Sequence, residues 1–156
     1  MKTNTIELYI HIPFCKSKCR YCDFCSFRAE EETIHAYLGK LKEELIFWGK
    51  KLAARDVVTV FIGGGTPSYL RREDIQMICE TIFEHFHICE DAEITIEANP
   101  GTVDLKKLCT YRENGINRIS FGLQSTVKEE LEYLGRIHTY EAVSYTHLTL
   151  PTICSV

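Results

Sequence analysis

Short apolar runs alternate with longer amphipathic segments along most of the chain. Four runs are rich in β-branched and aromatic residues and end at turn-forming residues, a pattern typical of buried strands. These predicted strands cover 6–12, 57–62, 92–98 and 117–123. Between them, apolar residues recur at steps of three and four, which indicates helices with one apolar face. The predicted helices cover 30–54, 71–86 and 103–114, with a further helix starting near Thr126.

The order of these elements predicts the fold class and the place of the functional site. Strands that alternate with helices favour an α/β fold whose parallel strands are joined by right-handed crossovers. The carboxyl ends of parallel strands meet at one edge of the sheet, so function is expected there. The unusual residues of this chain all follow predicted strands: CKSKCRYC, GGGTPS, the Glu97 to Pro100 turn and Gln124-Ser125.

Composition and charge narrow the class of protein. The chain has 156 residues, of which 45% are hydrophobic, enough for one ordinary domain with a core. The net charge of −4 gives no electrostatic footprint for nucleic acid. There is no apolar run of about 18 residues and no pattern of a signal peptide. We therefore expect a cytoplasmic protein, in which eight cysteines indicate metal or redox chemistry rather than disulfides.

Three cysteines after the first predicted strand have the spacing of a metal-cluster loop. Cys15, Cys19 and Cys22 form C-x3-C-x2-C, and Cys25 follows three residues later. Three thiolates can hold a [4Fe–4S] cluster and leave one iron open to a small molecule. The alternatives are a structural zinc site that uses all four thiols and a set of buried bystander thiols.

These motifs together resemble a known family. The cysteine spacing, with Tyr21 before the third cysteine, is similar to that of the radical S-adenosylmethionine (SAM) superfamily. The strings YIHIPFCKSKCRYCDF, GGGTPS, IEANPG and SFGLQS resemble its coproporphyrinogen-oxidase-like branch over about residues 6–139. The branch contains an oxygen-independent coproporphyrinogen III oxidase and a related haem chaperone. The fold implied is a partial barrel of six β/α units, of which the first four are present in this chain.

The resemblance also implies roles for individual residues. Cys15, Cys19 and Cys22 would ligate the cluster, whose open iron would chelate SAM and supply the electron that cleaves it to methionine and a 5′-deoxyadenosyl radical. The implied cofactor contacts are Tyr9, Tyr21, Gly64, Gly65, Thr66, Glu97, Gln124 and Arg136. Glu97 would accept hydrogen bonds from the cofactor, and the planar fork of Arg136 suits a carboxylate. In the alternative interpretation the glycines form an ordinary tight turn, Glu97 caps a helix and Arg136 is a solvated charge.

Cys25 helps to choose between the two members of the branch. The oxidase has a fourth cysteine two residues after the third, whereas Phe24 stands at that position here. The string CDFCS fits the chaperone pattern C-D-F-x-S, so Cys25 is expected not to be a ligand. The resemblance therefore implies a protein that binds haem and delivers it to an acceptor protein. The alternative function is the oxidative decarboxylation of a porphyrinogen. Both functions imply a partner that donates electrons to the cluster.

The last residues carry a different signal. Residues 143–152, VSYTHLTLPT, match the translation of a common transposase sequencing adapter residue for residue. We therefore expect native sequence over 1–142 and adapter read-through over 143–156, the alternative being a genuine strand of a divergent protein. Because relatives of the branch are far longer, most of the substrate pocket is expected outside this chain, which alone is expected to be inactive.

Overall fold

Four strands and four α-helices alternate along the part of the chain that the structure, a computed structural model, describes: residues 4–136, 138–140 and 143. The strands are β1 (Thr5–Ile12), β2 (Asp56–Gly64), β3 (His87–Ala98) and β4 (Arg118–Phe121). The helices are α1 (Glu31–Lys51), α2 (Arg72–His85), α3 (Leu105–Glu113) and α4 (Lys128–Leu134). A short 3-10 turn covers Pro67–Tyr69 between β2 and α2.

The strands form one parallel sheet in the order β1-β2-β3-β4. This arrangement confirms the predicted α/β class with parallel strands. The register aligns a row of isoleucines across the sheet, in which Ile62 of β2 lies between Ile10 and Ile96. Because side chains alternate along a strand, this row faces one side of the sheet, and the neighbouring positions Tyr9 and Phe61 face the other.

The apolar face of the sheet and the helices enclose the hydrophobic core. Ile62 and Ile96 are fully buried, as are Ile75 and Ile78 of α2. Each such side chain stabilises the fold by roughly 1.5–3 kcal/mol relative to an exposed position. The opposite face carries polar and aromatic side chains, among them Tyr9 and Phe61.

All four predicted strands have somewhat different bounds in the structure, where β1 begins at Thr5 and β2 covers Asp56–Gly64. β3 begins at His87 rather than at residue 92, because His87 and Ile88 pair with Asp56 and Val57 before an irregular segment. The acidic pair Glu90-Asp91 interrupts the apolar pattern there and hides this start. The predicted fourth strand over 117–123 is shortened to β4, since the chain turns after Phe121, where the Leu123 N–H donates back to the Phe121 carbonyl at 3.0 Å.

The three helices with predicted bounds are present, and their ends differ from those bounds by one to three residues. α3 ends at Glu113, followed by Asn114 as cap and by Gly115 with φ of 81°, as the Asn-Gly signal predicts. The further helix begins at Lys128, two residues after the predicted start near Thr126. The expected boundary at residue 142 and the segment 144–156 lie outside the described residues.

Candidate functional site

A cavity of about 280 Å³ opens where the strands end, and we call it the strand-end cavity. It is lined by residues from the segments that follow all four strands. Ten of the eleven predicted site residues line it: Cys15, Cys19, Tyr21, Cys22, Gly64, Gly65, Thr66, Glu97, Gln124 and Arg136. The positions predicted from four separate motifs are therefore neighbours in the fold.

The loop that carries the three cysteines is closed at its base. Phe14 and Phe27 form an isolated parallel bridge, in which the Cys15 N–H donates to the Phe27 carbonyl at 3.0 Å. The Phe27 N–H donates in turn to the Pro13 carbonyl at 2.8 Å. Inside the loop, the Lys18 ammonium donates to the carbonyls of Phe24 and Ser26, at 2.8 and 3.0 Å. These hydrogen bonds are made within the loop and stabilise its conformation.

Contacts outside the loop fix its position on the sheet. The Arg20 N–H donates to the Leu134 carbonyl at the end of α4, at 3.1 Å. On the other side, Nε2 of His11 lies 3.0 Å from the Cys25 carbonyl. A carbonyl only accepts, so Nε2 carries the proton, and Nδ1 of a neutral ring accepts from the Tyr9 hydroxyl 3.1 Å away. Cys25 thus contributes its backbone to the anchoring of the loop, while its thiol is exposed.

The three thiols of the motif have different surroundings. Cys15 is buried, and its sulfur accepts a hydrogen bond from the Thr66 hydroxyl at 3.4 Å. The sulfur of Cys19 accepts from Nη1 of Arg136, also at 3.4 Å. Cys22 is half-buried, and its N–H donates to the Cys19 carbonyl in a turn. Two of the three sulfurs thus accept hydrogen bonds from side chains that lie outside the loop.

The glycine turn after β2 allows the backbone to approach this loop. Gly64 has φ of 116°, a conformation that residues with a side chain rarely adopt. A Cβ on Gly65 would lie 2.8 Å from the Phe14 carbonyl oxygen and 3.0 Å from the Cys15 sulfur. The Thr66 N–H donates to the Phe14 carbonyl at 2.8 Å. Small residues at this turn are therefore required for close contact with the cysteine loop.

Glu97 and Tyr9 lie on the polar face of the sheet but take different places relative to the cavity. The Glu97 carboxylate accepts a hydrogen bond from the Gly64 N–H at 2.9 Å. Glu97 also lines the cavity, on the side of the remaining lone pairs of its carboxylate. Tyr9 does not line the cavity, and neither does His11, which its hydroxyl contacts. Partial burial, and then the charge of Glu97, raise the pKa of the Tyr9 hydroxyl, so it is a neutral donor.

Gln124 and Tyr21 occupy the rim of the cavity. Gln124 is the one non-glycine residue with positive φ among the described positions. Such backbone strain is concentrated at functional sites, where a side chain must be aimed in a given direction. Burial raises the pKa of Tyr21, the positive charge of Arg136 opposes this shift, and Cys19 adds to it.

Asn99 directly follows β3, and the sequence motifs give it no role. Its side chain donates to the Thr66 hydroxyl at 2.9 Å and accepts from Nη2 of Arg136 at 2.5 Å. The turn that holds it is fixed by Ser68, whose hydroxyl accepts from the Asn99 N–H at 3.0 Å. The sequence signal for Asn99 was its position as a polar residue between the predicted site residues Glu97 and Gln124. Its partners Thr66 and Arg136 are 33 and 37 positions away in the chain, so the sequence does not show that they meet.

The donor set fits a cluster better than a single ion. No group of three or more His, Cys, Asp or Glu side chains among the described residues converges enough to hold one metal ion. A structural zinc site requires four ligands around one ion, so this grouping gives the zinc alternative no support. In a [4Fe–4S] cluster each thiolate binds a different iron, so the sulfurs surround the group without meeting at one point. The three thiols beside an open cavity therefore fit the cluster.

Cysteines outside the loop are not part of this arrangement. Cys79 lies in the core at 2% exposure, where burial raises the pKa of its thiol to about 12. It is a small buried apolar residue. Cys89 and Cys109 are half-buried.

Comparison with protein families matches residues 9–149 to the model of the radical SAM superfamily. The chain belongs to this superfamily. Membership implies a [4Fe–4S] cluster and SAM. Curated relatives include proteins named heme chaperone HemW, from Escherichia coli at 44% identity over 88% of this chain and from Bacillus subtilis at 38% identity over 86%.

Solved structures give the same fold. The chain superposes on the coproporphyrinogen III oxidase HemN from Escherichia coli, described as a radical SAM enzyme, with a TM-score of 0.84 and 32% identity over 90% of its length. The archaeal Elp3 of Methanocaldococcus infernus matches with a TM-score of 0.53 at 14% identity, which indicates a shared fold alone.

The chain spans only part of the proteins it matches. It covers 37% of the Escherichia coli HemW sequence, 36% of the Bacillus subtilis one and 33% of the HemN chain. Within its described residues, no helix is both long enough and apolar enough to cross a bilayer.

Proposed function

We propose that the chain binds a [4Fe–4S] cluster through Cys15, Cys19 and Cys22 and binds SAM in the strand-end cavity. The observation that carries this proposal is the meeting of ten predicted residues around one cavity, with donors directed at two of the three sulfurs. When bound, the cluster supplies the electron for reductive chemistry on SAM. The residues of the chain hold the cluster, orient the cofactor and limit the access of water.

Cluster assembly under anaerobic conditions, with iron and sulfide, tests the first part. We expect about four irons per chain and the absorption and EPR spectra of a [4Fe–4S] cluster. Cys22→Ser is expected to lose most of the iron, and Cys25→Ser, in the same loop but with an exposed thiol, to retain it. Equal loss of iron in both variants would contradict the assignment of three ligands.

For SAM, we propose that Arg136 and Glu97 contact the methionine end and the hydroxyl or amine groups of the cofactor. The guanidinium has five N–H groups, three of which bond to Cys19, Asn99 and the Gly122 carbonyl. Of the two remaining hydrogens, the one on Nη1 is available to a carboxylate, whereas the one on Nε is buried and has no partner among the described residues. Arg136→Lys keeps the charge but loses the planar fork, so we expect SAM to bind about tenfold more weakly.

Titration of the cluster-loaded protein with SAM measures this change. Arg112→Lys is the matched control, because Arg112 lies exposed on α3 and does not line the cavity. If both lysine variants bind SAM as tightly as the parent chain, the assignment of Arg136 fails.

At the level of the whole protein, we propose a haem chaperone that binds haem and passes it to an acceptor protein. The proposal is supported by the names of curated relatives that are 35–44% identical, and by Phe24 at the position of the fourth cysteine of the oxidase. It implies a cytoplasmic protein with an electron-donor partner. The second candidate, oxygen-independent coproporphyrinogen III oxidation, rests on the structural match to HemN.

The two candidate functions can be distinguished with protein that is expressed from the parent reading frame. A chaperone is expected to bind haem with a Soret band shift and to leave coproporphyrinogen III unchanged when SAM and a reductant are present. Turnover of coproporphyrinogen III to protoporphyrinogen IX would instead establish the oxidase.

The domain assignment remains part of the proposal. We propose that residues 1–142 are native and that 143–156 come from adapter DNA, on the ground of the ten-residue match. Sequencing of independently cloned genomic DNA across codon 143 tests this, and the same codons in that DNA would refute it.

A further inference from the structure

A continuous chain of hydrogen bonds joins two of the three motif sulfurs. It starts at the Arg136 guanidinium, which donates through Nη1 to the Cys19 sulfur and through Nη2 to Oδ1 of Asn99. Nδ2 of Asn99 donates to the Thr66 hydroxyl, which donates to the Cys15 sulfur. We call these three residues, Thr66, Asn99 and Arg136, the sulfur-linking chain.

The direction of every bond in the chain is fixed by chemistry. Arginine can only donate, so the amide oxygen of Asn99 must face it and the amide nitrogen must face Thr66. The Thr66 hydroxyl has one hydrogen. Because the hydroxyl accepts from Asn99, that hydrogen is free to point at the Cys15 sulfur, 3.4 Å away. All the donors thus point from a positive charge toward the sulfurs.

We propose that Asn99 is a positioning residue that aligns this chain and thereby raises the reduction potential of the bound cluster. This inference rests on the proposed function, in which Cys15 and Cys19 ligate the cluster. Hydrogen bonds to ligand sulfurs stabilise the additional negative charge of the reduced cluster, so they raise its potential. Thr66 is only 4% exposed, and so water cannot easily replace a lost donor at Cys15.

Three substitutions that nearly preserve size, in the same part of the fold, separate this role from a structural one. Thr66→Val removes the donor to Cys15, and Asn99→Leu removes the link between Thr66 and Arg136. Thr102→Val is the control, because its hydroxyl bonds to the Asn99 carbonyl at 2.7 Å and to Ser68 but to neither sulfur. It perturbs the same turn without entering the chain.

The experiment is a redox titration of each cluster-loaded variant, followed by EPR. We expect a midpoint potential more negative than that of the parent chain in T66V and N99L, and an unchanged value in T102V. Thr66→Ser keeps the hydroxyl and is expected to restore the parent potential. The double variant T66V/N99L should shift by less than the sum of the single shifts, because the residues act in series at Cys15. Resonance Raman spectra should show stiffer Fe–S(Cys) bonds in T66V and N99L.

Other outcomes overturn the inference, and they differ from those that refute the proposed function. Full cluster content with parent potentials in T66V and N99L would reject the tuning role alone. An equal shift in T102V, or loss of the cluster from T66V and N99L, would show that these residues only maintain the fold. Failure of the parent chain to assemble any cluster would reject both the proposed function and this inference.

Discussion

At the residue scale, the glycine turn shows how one backbone conformation supports the site. The φ of Gly64 lies in the left-handed region, and a Cβ there would come within 2.6 Å of the His11 ring. That ring also contacts the Cys25 carbonyl. A side chain at Gly64 would therefore strain the turn and displace the histidine that anchors the cysteine loop.

Gly64→Ala is expected to lower the free energy of unfolding by roughly 1–3 kcal/mol through backbone strain. Gly39→Ala is the matched control, since Gly39 is exposed on α1 and a Cβ there meets nothing within 4 Å. In a helix the added methyl should stabilise by roughly 0.5–1 kcal/mol. Urea denaturation of both variants checks the opposite signs, and equal effects would contradict the argument.

Cys79 gives a prediction for the dependence of stability on pH. Burial, with a smaller contribution from Glu80, raises the pKa of its thiol from 9.0 to about 12 in the folded state. The folded state binds this proton more tightly than the unfolded state. The resulting stabilisation is therefore complete below pH 9.0 and is lost as pH rises toward 12.

A Cys79→Ala variant lacks the thiol proton of Cys79. The difference in unfolding free energy between the parent chain and the variant should therefore fall by about 1.4 kcal/mol per pH unit above the unfolded-state pKa of the thiol. Denaturant unfolding at several values between pH 8 and 11 measures it. A difference independent of pH would mean that the Cys79 thiol is not the group that titrates.

At the element scale, the helices differ in how their first turns are capped. Asp104 precedes α3, and its carboxylate accepts from the Lys107 N–H at 2.8 Å. Glu30 precedes α1 and makes no such bond with its side chain. α3 leads from the turn that holds Asn99 and Thr102 back to β4, so its start affects the geometry of the site.

Asp104→Ala is expected to cost about 1 kcal/mol, because the N–H of Lys107 loses its acceptor. Glu30→Ala, the matched substitution at the uncapped helix, should change the unfolding free energy by only a few tenths of that amount. Thermal or denaturant unfolding compares them, and a larger cost at Glu30 would show that the cap of α3 is not the stabilising feature.

The cysteine loop is an element held at both ends. Its base is the bridge between Phe14 and Phe27, and its far side rests on Arg20 and the end of α4. The sequence predicts such a loop from its cysteine spacing. Its contact with α4, more than 100 residues away, has no local signal in the sequence.

At the scale of the whole molecule, the site and the core are distinct parts that meet at Phe14, which belongs to the core and forms the base of the cysteine loop. The core lies between the sheet and the helices, whereas the cysteine loop lies at the strand ends with several of its residues exposed. Loss of a bound cluster should therefore loosen the loop without unfolding the sheet.

Hydrogen exchange before and after removal of the cluster by an oxidant and a chelator tests this separation. We expect faster exchange over residues 15–27 and little change at the core amides of Ile62 and Ile96, which are fully buried. Faster exchange throughout β2 and β3 would show instead that the cluster holds the whole domain together.

The sequence pattern was sufficient for the fold class, the four strands, the helices and the three motif cysteines, and the resemblance to a known family supplied the other seven predicted residues around the cavity. Strands and helices reveal themselves through local periodicity, and the cysteine motif through a spacing that one loop imposes. The parallel order then places every strand end at one edge, so motifs far apart in sequence could be assigned to a single site. The early start of β3 was missed, because its first pairs precede an acidic interruption.

Only the tertiary structure decided which polar groups meet at that edge. Tyr9 lies outside the cavity, whereas Asn99 joins Thr66 to Arg136. The bond from Arg136 to Cys19 spans 117 positions of the chain. Such contacts depend on the twist of the sheet and on side-chain directions at several strand ends together, and no local pattern in the sequence encodes them.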